Sequence, residues 1–456
     1  MHIRAIFDTV TSMIVMKFGG SSVADAARIR HVAEIVKTQI ARKPVLVLSA
    51  MGNTTDYLLE AADDAFHNGT VSVEKIEKHH LDVIKQLKLP NNSRKELASL
   101  LEELRRLLSG ISLIRELTPR TKDFLVTFGE RLSVRIVAGY LNEQGIKAAA
   151  FDAWDLGFVS DSNHTSAELL KESWELIPAK ILPLIKSKIL PVVTGFIAKD
   201  INGNITTLGR GGSDLTATMI AAACKAEEAQ VWKDVDGILT ADPRIVKEAR
   251  PVETITYNEA TELAYFGAQV LHPRAMQPCI KTGMPVLVKN SYNISAPGTK
   301  ITASLEKGKT PVRAITSKRN ITLVDIVSTR MLGQWGFLSE VFSCFARHRI
   351  SVDMVATSEV SVSLTLDAAY DLSSLKKELS QIAGIEIKTG KAIVTIVGNV
   401  KRSSEILARA FRTCQIIGVT VQMVSQGASK VNISFIVDDV EAAEVVKALH
   451  LDFFES

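Results

Sequence analysis

The sequence predicts an α/β layer fold over roughly its first 290 residues, followed by two copies of one small β/α module. Three observations carry this. Apolar runs of strand length alternate with helically spaced stretches up to about residue 290. Ala296-Pro297-Gly298 and Glu306-Lys307-Gly308-Lys309 then mark a surface connection over residues 295–311. Beyond it the chain repeats itself. Ser351-Val352-Asp353-Met354-Val355-Ala356 corresponds to Thr420-Val421-Gln422-Met423-Val424-Ser425, with Met354 and Met423 69 positions apart. Ser361-Val362-Ser363-Leu364 corresponds to Asn432-Ile433-Ser434-Phe435, and self-similarity at this spacing reads as a duplicated unit.

Residues 14–18 are an apolar run ending in Gly19-Gly20-Ser21-Ser22 and read as a strand and turn. Residues 25–40 follow as a helix, with Ile29, Val32, Ala33, Val36 and Ile40 on one face. Residues 45–48 read as a buried strand. Residues 71–116 read as a helical hairpin broken at Pro90-Asn91-Asn92, with Leu97, Leu100, Leu101, Leu104 and Leu108 in helical register. Thr118-Pro119 starts a helix that Gly145 ends. Asn202-Gly203 reads as a tight hairpin turn. Ser213-Asp214 opens a helix of small residues over 215–225, and residues 229–232 form the next strand.

Composition narrows the function. The chain has 456 residues, so two or three domains are expected. A net charge of +4 argues against a basic nucleic-acid grip or an acidic tail. With 46% apolar and 23% charged residues the chain is too apolar for disorder. No apolar run approaches the roughly 18 residues of a membrane span. Cys224, Cys279, Cys344 and Cys414 stand far apart, which disfavours zinc or a disulfide framework and suggests buried thiols in a reducing compartment. Residues 1–12 fit neither a signal nor a transit peptide well, so a cytoplasmic location is expected, with Met13 or Met16 as alternative starts.

Four blocks carry chemistry. In Thr207-Leu208-Gly209-Arg210-Gly211-Gly212-Ser213-Asp214, three glycines let backbone approach an anion at a helix start, and Arg210 offers a fork for carboxylate or phosphate. In Lys17-Phe18-Gly19-Gly20-Ser21-Ser22, a lysine at a strand end beside two glycines suits a phosphoryl group in transfer. Residues 231–244 follow a strand, where open α/β sheets bind ligands, and Lys233 and Arg244 suit phosphates; a solvated surface loop is the alternative. Glu130 sits among Phe128, Leu132 and Val134, where it would meet a ligand ammonium or pair with a nearby cation. Gly308-Lys309-Thr310 resembles the end of a phosphate-binding P-loop, but Ala303 replaces the required glycine and no strand and helix flank it.

In this order, these blocks resemble the amino-acid kinase family, and more narrowly its aspartate kinases of the monofunctional plant type. Val23 completes the opening signature, and Phe266-Gly267-Ala268-Gln269-Val270-Leu271-His272-Pro273 adds to the likeness. So do Ser328-Thr329-Arg330-Met331-Leu332-Gly333-Gln334 and the stretch from Val355 to Ser361. The resemblance implies a three-layer amino-acid kinase fold followed by two ferredoxin-like βαββαβ ACT modules. The expected division is an N-terminal extension at 1–13, the kinase domain at 14–305, and ACT modules at 306–390 and 391–456.

The implied reaction moves the ATP γ-phosphoryl group to the side-chain carboxylate of L-aspartate, with Mg²⁺ on the phosphates, the first step toward lysine, threonine and methionine. Lys17 would stabilise the transferring group and Asp214 would orient Lys17. Thr55, Glu130, Arg210 and Ser213 would hold aspartate, Glu130 through the ammonium and Arg210 through the α-carboxylate. Lys17, Gly19, Gly20, Ser21, Lys233, Asp234, Leu239, Arg244 and Gln269 fall where the family holds ATP. Gln269 and Leu239 depart from the Lys and Tyr of many bacterial members. The ACT pair implies feedback by an amino acid, lysine before others, near Met331, Gln334, Phe337, Leu338, Asp353, Thr357 and Ser358, and a homodimer or homotetramer. Asp353 corresponds to uncharged Gln422, so the first module is the expected effector site. No nucleic-acid or membrane partner and no protein-held metal are expected.

The reaction suits these residues. A carboxylate with a pKa of about 4 is roughly 99.9% ionised at neutral pH, so the nucleophile needs no base. The barrier is anion meeting anion, which cations and backbone N–H donors lower.

Overall fold

In a computed structural model, residues 13–266, 271–304, 312–328, 335–398, 402–426 and 431–455 are described. The chain forms two compact units. The first comprises residues up to 238, 253–257 and 271–305; the second comprises 239–252, 258–270 and 306 onward. The chain therefore passes between the units several times, where a single crossing near 305 was expected. Among the described residues, no helix is long and apolar enough to cross a membrane.

The first unit runs β1 (Ile14–Phe18), α1 (Ala26–Gln39), β2 (Pro44–Leu48), α2 (Thr54–Asn68), α3 (Glu74–Leu87), α4 (Asn91–Ile114), α5 (Pro119–Glu143) and β3 (Ala148–Phe151). It continues with β4 (Val159–Ser160), α6 (Ser173–Lys186), β5 (Leu190–Thr194), β6 (Ile197–Asp200), β7 (Ile205–Thr207), α7 (Gly212–Ala223), β8 (Glu228–Lys233) and β9 (Thr254–Thr256). After α8 (Tyr257–Tyr265), which lies almost wholly in the second unit, come α9 (Pro273–Thr282), β10 (Val286–Asn290) and β11 (Thr299–Thr302). The eight-stranded sheet has the order β3-β5-β2-β1-β8-β10-β11-β9, with β1 parallel to both β2 and β8. Strands β1, β2 and β5 are buried throughout, as expected when helices cover both faces. β4, β6 and β7 form a separate three-stranded sheet.

Local signals act where they stand. Asp25 caps α1 by accepting the Arg28 N–H, and Thr118 caps α5 by accepting that of Thr121. The helical hairpin breaks before Asn91 as expected, and α2, which was not foreseen, precedes it. The turn after β6 is wider than a two-residue hairpin. The Asp200 carboxylate accepts the N–H groups of Asn202 and Asn204, and Gly203 sits at φ +81°. Residues 299–302, expected to be connection, form β11 instead: a Cβ on Gly298 would lie 2.2 Å from the Val288 carbonyl oxygen, so only glycine lets the chain turn back against β10.

The second unit holds β12 (Val312–Val327), α10 (Phe337–Arg347), β13 (Val355–Thr357), β14 (Ser361–Asp367), α11 (Ser373–Leu379) and β15 (Gly384–Gly398). α12 (Ser403–Ile416), β16 (Met423–Ser425), β17 (Asn432–Asp438) and α13 (Ala442–His450) complete it. One six-stranded sheet, β13-β14-β12-β15-β17-β16, serves both modules. β12 and β15 pair antiparallel along their whole lengths, from Val312 opposite Gly398 to Val327 opposite Gly384. The expected cut into 306–390 and 391–456 does not follow the core. Val312 and Ile315 pack with Ile396, Phe435, Val445 and Leu449, so the start of β12 completes the second module's sheet. The four cysteines are free and buried.

Candidate active site

Period-two alternation along β1 sets up the site. Ile14, Met16 and Phe18 join the core that α1 to α5 build, so Lys17 points to the other face. There Asp214, in the first turn of α7, meets it: Lys17 Nζ lies 2.6 Å from Asp214 Oδ1, with both side chains about one-tenth exposed. Burial alone would raise the Asp214 pKa; the charges of Lys17 and Lys233 outweigh it and hold the group below the usual carboxylate value. Lys233, ending β8, is pushed down by burial, against the upward pull of Asp214. β1 lies between β2 and β8, so these groups stand where the strand order reverses, the usual ligand position in open α/β sheets.

Close backbone approach explains two glycines of the motifs. A Cβ on Gly20 would lie 2.6 Å from the Ala50 carbonyl oxygen, and one on Gly129 2.7 Å from the Ala50 Cβ. Gly129 thereby lets α5 close on the end of β2, where Glu130 Oε1 accepts the Ala50 N–H at 3.1 Å. Among the described residues, Glu130 Oε2 is buried and has no hydrogen-bond partner. Burial pushes the Glu130 pKa up to about 8.

Lys17, Thr55, Glu130, Gly209, Arg210, Gly211, Gly212, Ser213 and Asp214 line one cavity of ≈ 450 Å³, with Ser49 and Phe196 completing its wall. All the residues expected to grip aspartate thus come together with the expected catalytic pair. Arg210 rides a loop in which Gly209 and Gly211 have φ +70° and +76°, conformations that glycine adopts without strain. Phe196 has φ +71°, an unusual value for a bulky residue. Ser49 and Phe196 escaped the sequence reading, although Ser49 directly follows β2 and Phe196 stands two residues past β5, at the sheet's ligand-binding edge, and that position was the available signal.

The nucleotide residues divide. Gly19 lies beside Lys17, 3.8 Å from Nζ to where its Cβ would be. Ser21 is exposed, and its carbonyl accepts Arg28 at 2.6 Å. Asp234 is exposed. Leu239 and Arg244 belong to the second unit, where Arg244 pairs with Asp242 at 2.6 Å. Gln269 lies outside the described residues. Among the described residues no group of three or more His, Cys, Asp or Glu side chains could hold a metal ion.

Of the expected effector residues, Met331 and Gln334 lie outside the described residues. Phe337 is buried in the first module's core, while Leu338, Thr357 and Ser358 are exposed. The Asp353 side chain is 5% exposed and already occupied: Oδ2 lies 2.6 Å from Lys318 Nζ and Oδ1 accepts the Tyr265 hydroxyl at 2.8 Å.

Comparison with known proteins places the whole chain in a family. The description "Amino acid kinase family" matches residues 12–290, and "ACT domain" matches 324–373 and 394–453. The chain is 50% identical to Aspartokinase 1, chloroplastic, of Arabidopsis thaliana, over 97% of this chain and 80% of that protein. It is 35% identical to Lysine-sensitive aspartokinase 3 of Escherichia coli, over 98% and 100%. The crystal structure of E. coli aspartokinase III with aspartate and ADP superposes with a TM-score of 0.82 at 34% identity, covering 97% of this chain and all of that one. The same protein with lysine and aspartate gives 0.81, covering 97% and 99%. Matched along both units, with a kinase portion and paired ACT modules in the same order, the chain belongs to the aspartokinase family.

Proposed function

We propose that the cavity between β1, α5 and α7 binds L-aspartate and transfers to its side-chain carboxylate the γ-phosphoryl group of ATP, giving 4-phospho-L-aspartate. The observation that carries this is the unpartnered Glu130 Oε2, a buried carboxyl oxygen facing the same cavity as Arg210. A buried polar atom without a partner is costly, and an α-amino acid supplies what is missing: its ammonium for Glu130 and its α-carboxylate for the Arg210 fork. Thr55 and Ser213 add hydroxyls.

With both ends held, the side-chain carboxylate points toward Lys17. Its charge and the loop N–H groups offset the repulsion between nucleophile and phosphate. Asp214 aims the Lys17 ammonium. Gly19, Gly20, Ser21, Lys233 and Asp234 are the proposed nucleotide residues of the first unit. Mg²⁺, carried by the nucleotide rather than by a cluster of protein carboxylates, would screen the phosphate charge.

The proposed effector is an amino acid, lysine first, whose ammonium takes Asp353. Met331, Gln334, Phe337, Leu338, Thr357 and Ser358 complete the proposed pocket. We also propose a homodimer or homotetramer through the ACT modules, supported by Val327, Leu338, Phe342, Val355 and Val360 exposed on the first module. The free, buried thiols suit a reducing compartment such as the cytoplasm.

The test is ATP- and Mg²⁺-dependent formation of aspartyl hydroxamate, with glutamate as the competing acceptor and lysine as the added effector. Turnover of aspartate that lysine suppresses supports the reading. Preference for glutamate, or no turnover, overturns it.

A further inference from the structure

We propose that Asp123 and Arg274 are positioning residues for the amino-acid substrate, holding from opposite sides the loop that carries Arg210. The proposal rests on the reading of Arg210 as the grip on the α-carboxylate.

A loop containing Gly209, Gly211 and Gly212 is intrinsically mobile, whereas a bidentate grip tolerates little displacement. The loop's own ties include Gly212 N–H to the Gly209 carbonyl at 2.9 Å and Leu208 N–H to the Phe196 carbonyl at 2.8 Å. The Leu215 N–H also reaches the Gly211 carbonyl at 2.9 Å, the Thr216 hydroxyl the Gly212 carbonyl at 3.0 Å and the Ala167 N–H the Thr207 carbonyl at 2.9 Å. Two charged side chains brace the loop further.

Asp123 is 1% exposed. Its carboxylate accepts the Thr207 hydroxyl at 2.6 Å, the Thr165 N–H at 3.0 Å and His164 Nδ1 at 2.7 Å. It therefore joins the strand leading into the loop to residues 164–165, against which the loop packs: a Cβ on Gly209 would lie 3.0 Å from the Thr165 carbonyl oxygen. Asp123 and Glu130 stand seven residues, or two turns, apart on α5. One rigid helix thus sets the spacing between the ammonium and carboxylate grips.

Arg274 holds the other side from the start of α9. Its guanidinium donates to the Leu208 carbonyl at 3.0 Å, the Ser166 hydroxyl at 3.2 Å and the Ala167 carbonyl at 2.5 Å. Two residues earlier, His272 packs on the loop, with its Cβ 2.6 Å from where a Cβ of Gly211 would stand. Neither Asp123 nor Arg274 lines the cavity, so each acts through the loop.

The experiment is steady-state kinetics on full-length Arg274→Ala, Asp123→Asn and Thr207→Val, varying aspartate and ATP separately. The expected result is an aspartate KM raised about tenfold or more, an ATP KM within about twofold, and partial recovery of Arg274→Ala by added guanidinium ion. A purely structural role would lower Tm and the fraction of active enzyme at unchanged aspartate KM, and that result overturns the proposal. Should Arg274→Ala fail to fold, the near-isosteric Thr207→Val carries the test by the same criterion. Arg210→Lys is measured alongside. An unchanged aspartate KM there overturns the reading of Arg210 and the proposal with it. A raised KM in Arg210→Lys alone overturns only the clamp.

Discussion

Lys318 Nζ stands 2.6 Å from Asp353 Oδ2 and 2.8 Å from Asp367 Oδ1, so the carboxylate proposed to receive an effector's ammonium already holds one from its own chain. The second module has the same arrangement with weaker charge: Lys391 pairs with Asp438, which also accepts from Gln422.

An incoming ammonium must therefore displace Lys318. Lys318→Met should lower the lysine concentration that half-inhibits the enzyme, within the about 5- to 150-fold span of ordinary coupling energies. It should also lower Tm, because two carboxylates lose their partner. Asp353→Asn should abolish inhibition. Weaker inhibition in Lys318→Met would sink the competition argument.

If Glu130 takes the substrate ammonium as proposed, aspartate binding depends on pH. With its pKa near 8 the empty site is protonated at neutral pH, and an ammonium binds best to the ionised form. Aspartate KM should fall as pH rises from 6.5 to about 8.5, and Glu130→Gln should flatten that profile while raising KM. The effect on stability runs the other way. A carboxyl group whose pKa is higher folded than unfolded binds more protons when folded. Its contribution is complete below the unfolded value of 4.5 and is lost as pH rises through about 8. Glu130→Gln should thus gain stability relative to wild type at alkaline pH, on the order of a few kcal/mol at most, read by urea unfolding at pH 5 and 8.5.

Lys17→Met should reduce kcat by about 10²-fold or more with little change in aspartate KM, because the charge acts on the transferring group. It should also raise the Asp214 pKa, since burial then acts with less opposition. An unaffected kcat would remove Lys17 from the chemistry.

His80 governs acid stability of the helical hairpin. Its ring is fully buried, Nδ1 bonds the Ile76 carbonyl at 2.7 Å, and burial lowers its pKa to about 4. A base with a depressed folded pKa contributes stability above its unfolded value of 6.5 that is lost as pH falls toward about 4. His80→Phe should therefore weaken the pH dependence of unfolding in that window. An unchanged slope would show that His80 binds its proton equally well folded and unfolded, and would overturn this account.

The strand carrying Lys17, the capped start of α5 and the glycine loop at Arg210 were legible because each is encoded in neighbouring residues. Glu130 was legible as a charge in an apolar helix face. Ser49 and Phe196 carried only the signal of their place after strands, and Asp123 and Arg274 carried none, because their contacts form only when distant segments meet. Asp123 and Arg274 look like ordinary surface charges until the backbone groups they hold are seen. The internal repeat correctly announced two modules, yet spacing alone did not reveal that Val312 and Ile315 pack with Phe435 and Leu449.

That nesting of one module inside the other has a consequence for synthesis and for protein engineering. Residues 312–318 leave the ribosome early, but much of their apolar surroundings lies between residues 392 and 449 and is made last. The second module is thus the parent body and the first an insertion within it, so translation must complete the guest before the host can close. The insertion's two ends are adjacent, with Ile321 opposite Lys391 and Lys318 opposite Ile393. A short turn joining residues 319 and 390 would excise the first module and leave a continuous hairpin to carry the second.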